Sequence, residues 1–443
     1  MRRIAIIFAA AIVIVAIGVL AWRTFNPGPL AFAGNSTVAL ADYHEANPTG
    51  VPASLAKADI VRRGEYLAKA ADCVVCHTTK DGDVFAGGLA FPAPSGTLYS
   101  TNITADKDTG IGNYSDQDFL NAVQRGIRKD GARLYPAMPY TSYTFMTDAD
   151  VLAIKAYLLS LPSVHKENQR DTLQFPYNQR WTMAFWSWAF NPNARFAPDN
   201  TKSAEWNRGA YFAEALAHCG ECHTPRNPAF ALDNRRKFAG AAYGWLAYNI
   251  SSDRGTGIGS WSDEELLAYL AKGHAMGRGT ASGPMAEVVD YSLSYMDPAD
   301  IRALMTYLRS IPAIASSESA TIAPPAPASP KEGGAVADAL GRRVFAQACV
   351  SCHDWTGVSA LSPFATISGS RAVNDPSATN VAQIVISGTR RLTPGAISMP
   401  AFGSTYTNTE IAAVANYVTG RFGTAGSNLS AKDVAALRKQ TGY

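Results

Sequence analysis

The sequence predicts an all-α protein in which three helical domains follow one another behind an N-terminal transmembrane helix. Three observations predict this fold class: a long uncharged segment near the N-terminus, a short cysteine-histidine motif that occurs three times, and a similar helix at the end of each repeat. The length of 443 residues corresponds to about three average domains. With 47% hydrophobic and 17% charged residues, the chain can form sizeable cores. Its net charge of +3 is too small to indicate nucleic-acid binding.

The N-terminal segment, residues 4–22, contains no charged side chain. As a helix it would span about 28 Å, close to the hydrocarbon thickness of a bilayer. We therefore expect a transmembrane anchor at residues 4–22 and a spacer at residues 23–58. A cleaved signal peptide is the alternative, with candidate cleavage sites near Ala33 and Ala41. Two arginines before the segment and one after it favour a cytoplasmic N-terminus. The globular part would then lie on the periplasmic side of the inner membrane.

All six cysteines lie in three copies of the motif C-x-x-C-H, the attachment signature of c-type haem. Two thiols one helical turn apart can form thioethers with the two haem vinyl groups, and the adjacent imidazole then binds the iron. Zinc and redox-active dithiol sites use similar spacings, but zinc needs four ligands and no Cys or His follows the third copy. We expect three covalently bound haem c groups. The attachment residues are Cys73, Cys76, Cys219, Cys222, Cys349 and Cys352, and the first axial ligands are His77, His223 and His353.

The first two motif copies belong to a duplicated domain. Residues 102–116 return with few changes as residues 249–263, and the two cysteine motifs are separated by nearly the same interval. In both copies a serine, Ser115 or Ser262, is followed three residues later by an acidic residue. This pattern resembles a capping box and predicts that a helix begins there.

A closing helix recurs in all three domains, over residues 150–158, 300–308 and 410–418. Each begins with an acidic residue seven positions before a tyrosine, and a proline follows the first two helices. These repeats predict cytochrome c domains of class I. The expected boundaries are residues 59–165 for domain 1, 166–204 for an aromatic-rich connection, 205–314 for domain 2, 315–335 for a linker, 336–425 for domain 3 and 426–443 for a C-terminal tail.

The second axial ligand decides between electron transfer and chemistry at an open iron. Met138, Met285 and Met399 each lie beside a proline in a loop ahead of the closing helix, and we expect them to bind iron. Met146 and Met296 occupy a position that is Tyr406 in the third domain, so we interpret it as a packing position. Another candidate in domain 2 is Met276, which has no counterpart in the duplicate. We expect the remaining histidines, His44, His165, His218 and His274, at the surface or the haem edge.

The two connections between domains differ in composition. Residues 316–330 contain four prolines with alanine and serine, which is typical of a linker and would allow domain 3 to be positioned semi-independently. Residues 175–196 are rich in aromatic side chains, including three tryptophans. Two interpretations stay open: this segment packs as a strap between domains 1 and 2, or it rests on the bilayer or lines a quinone site.

Taken with these motifs, the chain resembles the three-haem cytochrome c subunit of bacterial membrane-bound dehydrogenases. The similar stretches are residues 64–67, 218–227, 283–289 and 410–418, and the resemblance extends from about residue 59 to the C-terminus. It implies a periplasm-facing subunit that takes electrons from a large catalytic subunit and passes them through three haems to ubiquinone. A small iron-sulfur or accessory subunit is a further partner that the resemblance suggests.

The oxidised substrate is less well defined by the sequence. An anchor followed by a spacer resembles the cytochrome subunits that accompany molybdopterin aldehyde dehydrogenases, which favours such a partner. A PQQ alcohol dehydrogenase or a flavin sugar or gluconate dehydrogenase is the alternative. Two functions of another class are a haem peroxidase, which needs a haem without methionine, and a cytochrome subunit of a terminal oxidase. Because no substrate-oxidising group of residues remains after the haem ligands are assigned, we expect no catalytic residues in this chain.

Overall fold

The computed structural model of the protein describes residues 2–25, 36–39, 51–93, 95–316, 339–393 and 395–441. Helices account for most of the regular structure, and they group into three units, each of which contains one C-x-x-C-H motif. The exact domain boundaries stay predictions. The linker after residue 316 lies outside the described residues, as does His44.

Helix α1 comprises Arg2–Phe25. A helix needs about 20 consecutive, mostly apolar residues to cross a bilayer. In the part of the chain that the structure describes, no helix is both long and apolar enough to do so. The transmembrane helix at residues 4–22 in the expected fold class is therefore wrong. The end of α1 lies against domain 2, where Asn227 Nδ2 donates to the carbonyl of Thr24 (3.0 Å) and the Arg235 guanidinium lies 5.5 Å from the Trp22 ring centre.

Domain 1 begins with a helix that is followed at once by the haem-motif helix, and it ends with the expected closing helix. Its helices are α2 Ile60–Ala70, α3 Cys73–His77, α4 Asp116–Arg125, α5 Tyr140–Tyr143 and α6 Asp148–Ser160. Helix α7, Thr182–Phe190, then forms the centre of the aromatic-rich connection.

Domain 2 repeats this order, except that a π-helical turn, Phe212–Leu216, extends its first helix. Its helices are α8 Ala204–Tyr211, α9 Gly220–His223, α10 Asp263–Lys272, α11 Pro284–Tyr291 and α12 Pro298–Ser310. Both predicted capping boxes are present: Ser115 with Asp118 begins α4, and Ser262 with Glu265 begins α10.

Domain 3 contains α13 Ala339–Ala348, α14 Val350–His353, α15 Thr379–Ser387, α16 Asn408–Phe422 and α17 Ala431–Thr441. Helix α16 continues beyond residue 418, the last residue of the predicted closing helix, and stops at Phe422. The segment expected as a C-terminal tail forms α17, whose Val434 and Leu437 are buried in the core of domain 3.

The protein is not purely α-helical, which corrects the expected fold class. The described residues also contain four two-stranded antiparallel sheets. They are β1 Ser36–Ala39 with β4 Ala194–Ala197, β2 Ala90–Ala93 with β3 Gly96–Tyr99, β5 Ala241–Ala242 with β6 Leu246–Ala247, and β7 His274–Ala275 with β8 Gly279–Thr280. Three of these pairs are short hairpins within the loops of domains 1 and 2. Such hairpins satisfy backbone groups locally, and their short strands lack the long alternating pattern by which a strand is recognised in a sequence.

The first and closing helices of each domain cross at a glycine. A Cβ atom added to Gly64 or Gly209 would lie 1.9 Å from the carbonyl oxygen of Ala153 or Ala303, and one added to Gly341 would lie 2.3 Å from that of Ala413. The same added atoms would lie 2.9, 2.9 and 2.8 Å from the Cβ atoms of the repeated tyrosines, Tyr157, Tyr307 and Tyr417. The contact leaves no space for a side chain, so each crossing requires glycine.

Domains 1 and 2 share one continuous hydrophobic core, whereas domain 3 has its own. A reciprocal pair of hydrogen bonds joins the first two domains. Tyr211 of α8 donates to Asp150 of α6 (2.7 Å), and Tyr66 of α2 donates to Asp300 of α12. Each tyrosine lies two residues after the crossing glycine, and each aspartate is the acidic residue that marks a closing helix. The duplicated sequence therefore packs as a pseudo-symmetric pair.

The glycine crossing predicts opposite effects for two substitutions in domain 3. Gly341→Ala should destabilise the domain by about 2 kcal/mol or more, because the new methyl group overlaps a backbone carbonyl. Gly420→Ala, in the same helix pair but with no atom near the added Cβ, should stabilise α16 by about 0.5 to 1 kcal/mol. Urea unfolding followed by circular dichroism measures both. Equal effects of the two substitutions would contradict a close crossing.

Candidate haem sites

The three C-x-x-C-H motifs form short helices directly after the first helix of each domain. The chain turns sharply before the first two, where Asp72 (φ 55°) and His218 (φ 38°) adopt left-handed backbone conformations. All six cysteines are free of disulfide bonds, and each is at least partly exposed. Two thiols and one imidazole are thus presented together at the end of a helix in each domain.

The three motif histidines are oriented in the same way. Nδ1 of His77 lies 2.7 Å from the carbonyl oxygen of Thr101, Nδ1 of His223 lies 2.6 Å from that of Tyr248, and Nδ1 of His353 lies 2.6 Å from that of Ala365. A carbonyl can only accept, so Nδ1 carries the proton and Nε2 keeps its lone pair. This is the second-layer contact that commonly orients a metal-binding histidine. The same orientation recurs in the duplicated pair of domains and again in domain 3.

Burial also keeps these imidazoles neutral. It lowers the pKa of His77 and of His353, and it lowers the pKa of His223 to about 4. The hydrogen bond to the carbonyl opposes this effect in each case, but burial is the larger cause. A neutral imidazole with a free Nε2 is the form that binds iron.

The cysteine thiols are not activated as those of redox enzymes are. Burial raises the pKa of Cys73, Cys76 and Cys219 to about 12 and that of Cys222 and Cys349 to about 11. Catalytic C-x-x-C sites instead lower the pKa of a cysteine to about 7 or below. The donor set of two unpaired thiols and one neutral imidazole fits covalent haem c in all three domains.

The expected second ligands occupy three similar half-buried positions. Met138 precedes α5, Met285 is the second residue of α11, and Met399 pairs with Thr389 through two backbone hydrogen bonds of 2.9 Å. All three pack against the core of their domain without being enclosed by it. Their coordination of iron stays a prediction.

The methionines that the sequence assigned to packing differ in burial. Met146 and Met296 are enclosed in the core, with 0% and 7% of their surface exposed, and Tyr406 is half-buried at the matching position. The other candidate in domain 2, Met276, is 60% exposed. A half-buried side chain is better placed to reach a bound group than one that is enclosed in the core or fully exposed.

The second motif contacts domain 1 through α5. The carboxylate of Glu221, inside the second motif, accepts hydrogen bonds from Ser142 (2.9 Å) and Thr141 (3.2 Å) of α5. It also pairs with Arg226 at 2.8 Å. The ring of His218, next to the second motif, packs edge-on against Tyr143 with ring centres 5.3 Å apart. These contacts hold the second motif against α5 of domain 1.

The sequence did not indicate which backbone carbonyls orient the histidines or which residues hold the second motif against domain 1. The accepting carbonyls belong to residues with no special side chain. The sequence did contain one indication of these acceptors. The matching residues Asn102 and Asn249 of the duplicated segment directly follow the acceptors Thr101 and Tyr248. Of the other histidines, His165 is exposed and lies 3.4 Å from Asp106, whereas His218 and His274 are half-buried.

The aromatic-rich connection packs in part as the predicted strap, and the rest of its aromatic side chains are exposed. Trp186 packs as a strap, since its Nε1 donates to the carbonyl of Ala229 in domain 2 (2.7 Å) and its ring lies 6.2 Å from that of Tyr140 in domain 1. Its neighbours point outward, and Trp188 is 85% exposed. We call this outward surface the exposed aromatic face. It consists of Phe175, Tyr177, Trp181, Phe185 and Trp188.

Helical domains in which a C-x-x-C-H motif presents two thiols and an oriented histidine are characteristic of the class of c-type cytochromes. Residues 61–162 match the family model for cytochrome c, and residues 336–418 match the model for cytochrome c oxidase, cbb3-type, subunit III.

The chain is also similar over most of its length to cytochrome subunits of dehydrogenases. It is 38% identical to the fructose dehydrogenase cytochrome subunit of Gluconobacter japonicus, over 93% of this chain and 89% of the relative. It is 38% identical to the gluconate 2-dehydrogenase cytochrome c subunit of Pantoea cypripedii, over 86% and 90%. It is 34% identical to the cytochrome c subunit of the quinone alcohol dehydrogenase of Gluconobacter oxydans, over 86% and 82%.

The chain therefore belongs to the family of cytochrome c subunits of dehydrogenase complexes. The resemblance seen in its motifs is confirmed, as is the expectation that the chain transfers electrons and is not itself catalytic. Cytochrome c domains carry covalently bound haem c.

Protonation of Glu221 should weaken the contact between domains 1 and 2 in acid. Burial raises the pKa of this carboxyl, but the charge and hydrogen bond of Arg226 outweigh burial and bring it below its ordinary value of 4.5. A lowered folded-state pKa stabilises the protein above the unfolded value, and that contribution is lost as pH falls through the folded value. Glu221→Gln should lower the melting temperature at pH 7 and flatten its decline below about pH 4.5.

Melting curves between pH 3 and 7 test this, with the exposed Glu167→Gln as the matched control. The same acid dependence in the wild type and in Glu221→Gln would show that Glu221 does not stabilise the contact.

Proposed function

We propose that this chain accepts electrons from a separate dehydrogenase subunit and passes them through three haem c groups to ubiquinone. The observation that carries the proposal is the threefold repetition of a C-x-x-C-H helix whose histidine is oriented through Nδ1 by a backbone carbonyl. Bound haem iron supplies one-electron chemistry by alternating between ferric and ferrous states. Ubiquinone takes up two electrons and two protons to become ubiquinol, so two one-electron passages complete each turnover.

The chain's own residues would hold each haem in the same manner. The pairs Cys73 and Cys76, Cys219 and Cys222, and Cys349 and Cys352 form the thioethers. His77, His223 and His353 would bind the iron, with Met138, Met285 and Met399 as the second protein ligands. An iron held by both residues would leave no position for substrate or peroxide, which favours electron transfer over a haem peroxidase.

The order of contacts between domains supports a linear path. Domain 2 touches domain 1 through Glu221 and domain 3 through a buried pair, Asp290 and Arg391. We propose that electrons cross these two contacts in sequence, so that the haem of domain 2 relays between the other two.

The partner that we propose oxidises a sugar or sugar acid. The support is the identity of 38% to cytochrome subunits of fructose and gluconate dehydrogenases, which extends over most of both chains. The expectation of a molybdopterin aldehyde dehydrogenase depended on a transmembrane anchor, and that feature is not supported. A PQQ alcohol dehydrogenase is the second candidate, favoured by 34% identity to the subunit from Gluconobacter oxydans. The resemblance also suggests a small accessory subunit in the complex.

The exposed aromatic face supports a location at the periplasmic surface of the inner membrane. Tryptophan and tyrosine prefer the interface between water and lipid. Aromatic side chains in α7 and just before it are unusually open, with Trp181 63% and Phe185 66% exposed. We propose that this face meets the bilayer or forms the entry for ubiquinone. The resemblance to periplasm-facing subunits supports the periplasmic side.

The ligand assignment predicts a spectroscopic loss for each methionine. Met138→Ala, Met285→Ala and Met399→Ala should each remove one haem's share of the methionine-to-iron charge-transfer absorption and lower one reduction potential. Met146→Ala should leave that absorption unchanged, although it destabilises domain 1 by about 2 to 5 kcal/mol. Met276→Ala should change neither property. Full absorption in any of the first three variants would exclude that residue as a ligand.

If the exposed aromatic face takes part in quinone reduction, substitutions in it should impair that reaction without changing haem content. The double substitution Phe185→Ala and Trp188→Ala should raise the KM for a soluble ubiquinone analogue by roughly tenfold, because two exposed contacts are lost. Haem content and the reduction of an artificial acceptor that needs no quinone site should stay at wild-type levels.

Two single substitutions serve as controls for that experiment. Leu361→Ala removes an apolar side chain of domain 3 that is 66% exposed, and it should have no effect on quinone reduction. Trp186→Ala should lower thermal stability, since Trp186 bridges the two domains. Wild-type quinone kinetics in the double variant would refute the role of this face.

A further inference from the structure

Two arginines of domain 3 enter domain 2 at opposite ends of its candidate haem site. Arg391 reaches the helix that carries Met285, and Arg371 reaches the segment that orients His223. Neither arginine was singled out by the sequence, and the linker composition suggested a loosely positioned domain 3. Their contacts are with groups more than 100 residues away along the chain.

Arg391 lies in a closed polar socket. Its side chain is 1% exposed and that of Asp290 is 2% exposed. The guanidinium donates to the Asp290 carboxylate from Nε (3.0 Å) and from Nη2 (2.8 Å), a two-pronged contact with high geometric specificity. The Asp290 carboxylate also accepts from the Leu392 amide (2.8 Å) and from the Thr393 hydroxyl (2.7 Å). Three residues of domain 3 therefore donate hydrogen bonds to one carboxylate of domain 2.

The backbone of domain 2 completes the socket. The Arg391 guanidinium donates to the carbonyls of Lys272 (3.2 Å), Gly273 (3.3 Å) and Ala281 (3.4 Å). A Cβ on Gly273 would lie 2.3 Å from Nη2, so this glycine leaves the space that the guanidinium fills. A charged side chain so fully surrounded by acceptors has a single available geometry.

The socket joins two loops that carry candidate iron ligands. Asp290 lies in α11, five residues after Met285. Arg391 lies beside the backbone pair of Thr389 and Met399, and its own amide donates to the Ser398 hydroxyl (3.2 Å). The position of one methionine is thus tied to that of the other through a short, rigid connection.

Arg371 makes the corresponding contact on the histidine side. Its guanidinium lies 4.4 Å from the ring centre of Tyr248, whose carbonyl accepts the Nδ1 proton of His223. It also donates to the carbonyls of Asn249 (3.2 Å) and Thr256. Burial lowers the pKa of Arg371 to about 10, so the group remains charged at neutral pH.

We propose that Arg371 and Arg391 are positioning residues that fix the haem of domain 2 relative to the haem of domain 3 and thereby set the rate of electron transfer between them. This inference rests on the proposed three-haem function. Each arginine acts through another residue, Arg371 through the segment that orients His223 and Arg391 through the helix that carries Met285. Arg371 also places positive charge near the second haem, and Arg391 balances the buried charge of Asp290. Loss of either arginine makes the surroundings more negative and disfavours the reduced haem, which carries one positive charge less.

The test uses the full-length haem-containing protein. Arg371→Gln and Arg391→Gln should each lower the same midpoint potential in a spectroelectrochemical titration, namely the one that Met285→Ala also shifts. After flash photoreduction, electron equilibration among the haems should slow by roughly tenfold, as expected when a reacting group is displaced by about an ångström. Arg390→Gln removes the same charge from the exposed neighbouring residue and should change neither property.

Conservative variants separate charge from geometry. Arg391→Lys keeps the charge but cannot make the two-pronged contact, so the potential should stay near that of the wild type while equilibration slows. Thr393→Val removes one hydrogen bond to Asp290 and should slow equilibration less. If Arg391→Gln fails to incorporate haem, these two variants decide the question.

Wild-type potentials and equilibration rates in the arginine variants, at full haem content, would overturn the proposal. A wild-type chain with fewer than three haems would instead contradict the proposed function, whatever the variants do. The two failures are therefore distinguishable in one set of measurements.

Discussion

Each domain depends on the contact at which its first helix crosses its closing helix. Gly64, Gly209 and Gly341 let the two backbones approach until only a hydrogen atom separates them. The C-x-x-C-H helix follows the first helix within a few residues, so the crossing determines where two thiols and an imidazole emerge. The repeated tyrosine of the closing helix packs at the same point, which explains why its spacing recurs in all three domains.

Polar contacts between domains then arrange these sites relative to one another. The reciprocal bonds of Tyr66 and Tyr211 hold domains 1 and 2 as a pseudo-symmetric pair, and Glu221 bonds the second motif to α5 of domain 1. Domain 3 is attached differently, through Arg371 and Arg391. It has its own core, so its position depends on a few buried polar groups rather than on shared apolar surface. Such a junction can tune electron transfer without changing either domain.

The sequence predicted the features that depend on local spacing. The haem motifs, the capping boxes at Ser115 and Ser262 and the closing helices are short patterns with a direct physical cause, and all are present. Hydropathy alone suggested a membrane span in α1, which the structure does not support. Helix α17 was missed because its apolar positions are few, and the Asp290–Arg391 pair because its members are distant in the chain. The hairpins were missed because their strands are so short.

We propose that a histidine and a methionine close each of three haem irons, which would therefore only carry electrons. The half-buried positions of Met138, Met285 and Met399 support it, and the orientation of the three histidines is its firmest basis. Carbon monoxide binding by the reduced, native protein tests it most directly, since the gas needs an open position on ferrous haem. If each iron is closed by two protein ligands, the absorption spectrum should not change when the gas is added. A spectral shift equivalent to one or more haems per chain would contradict it.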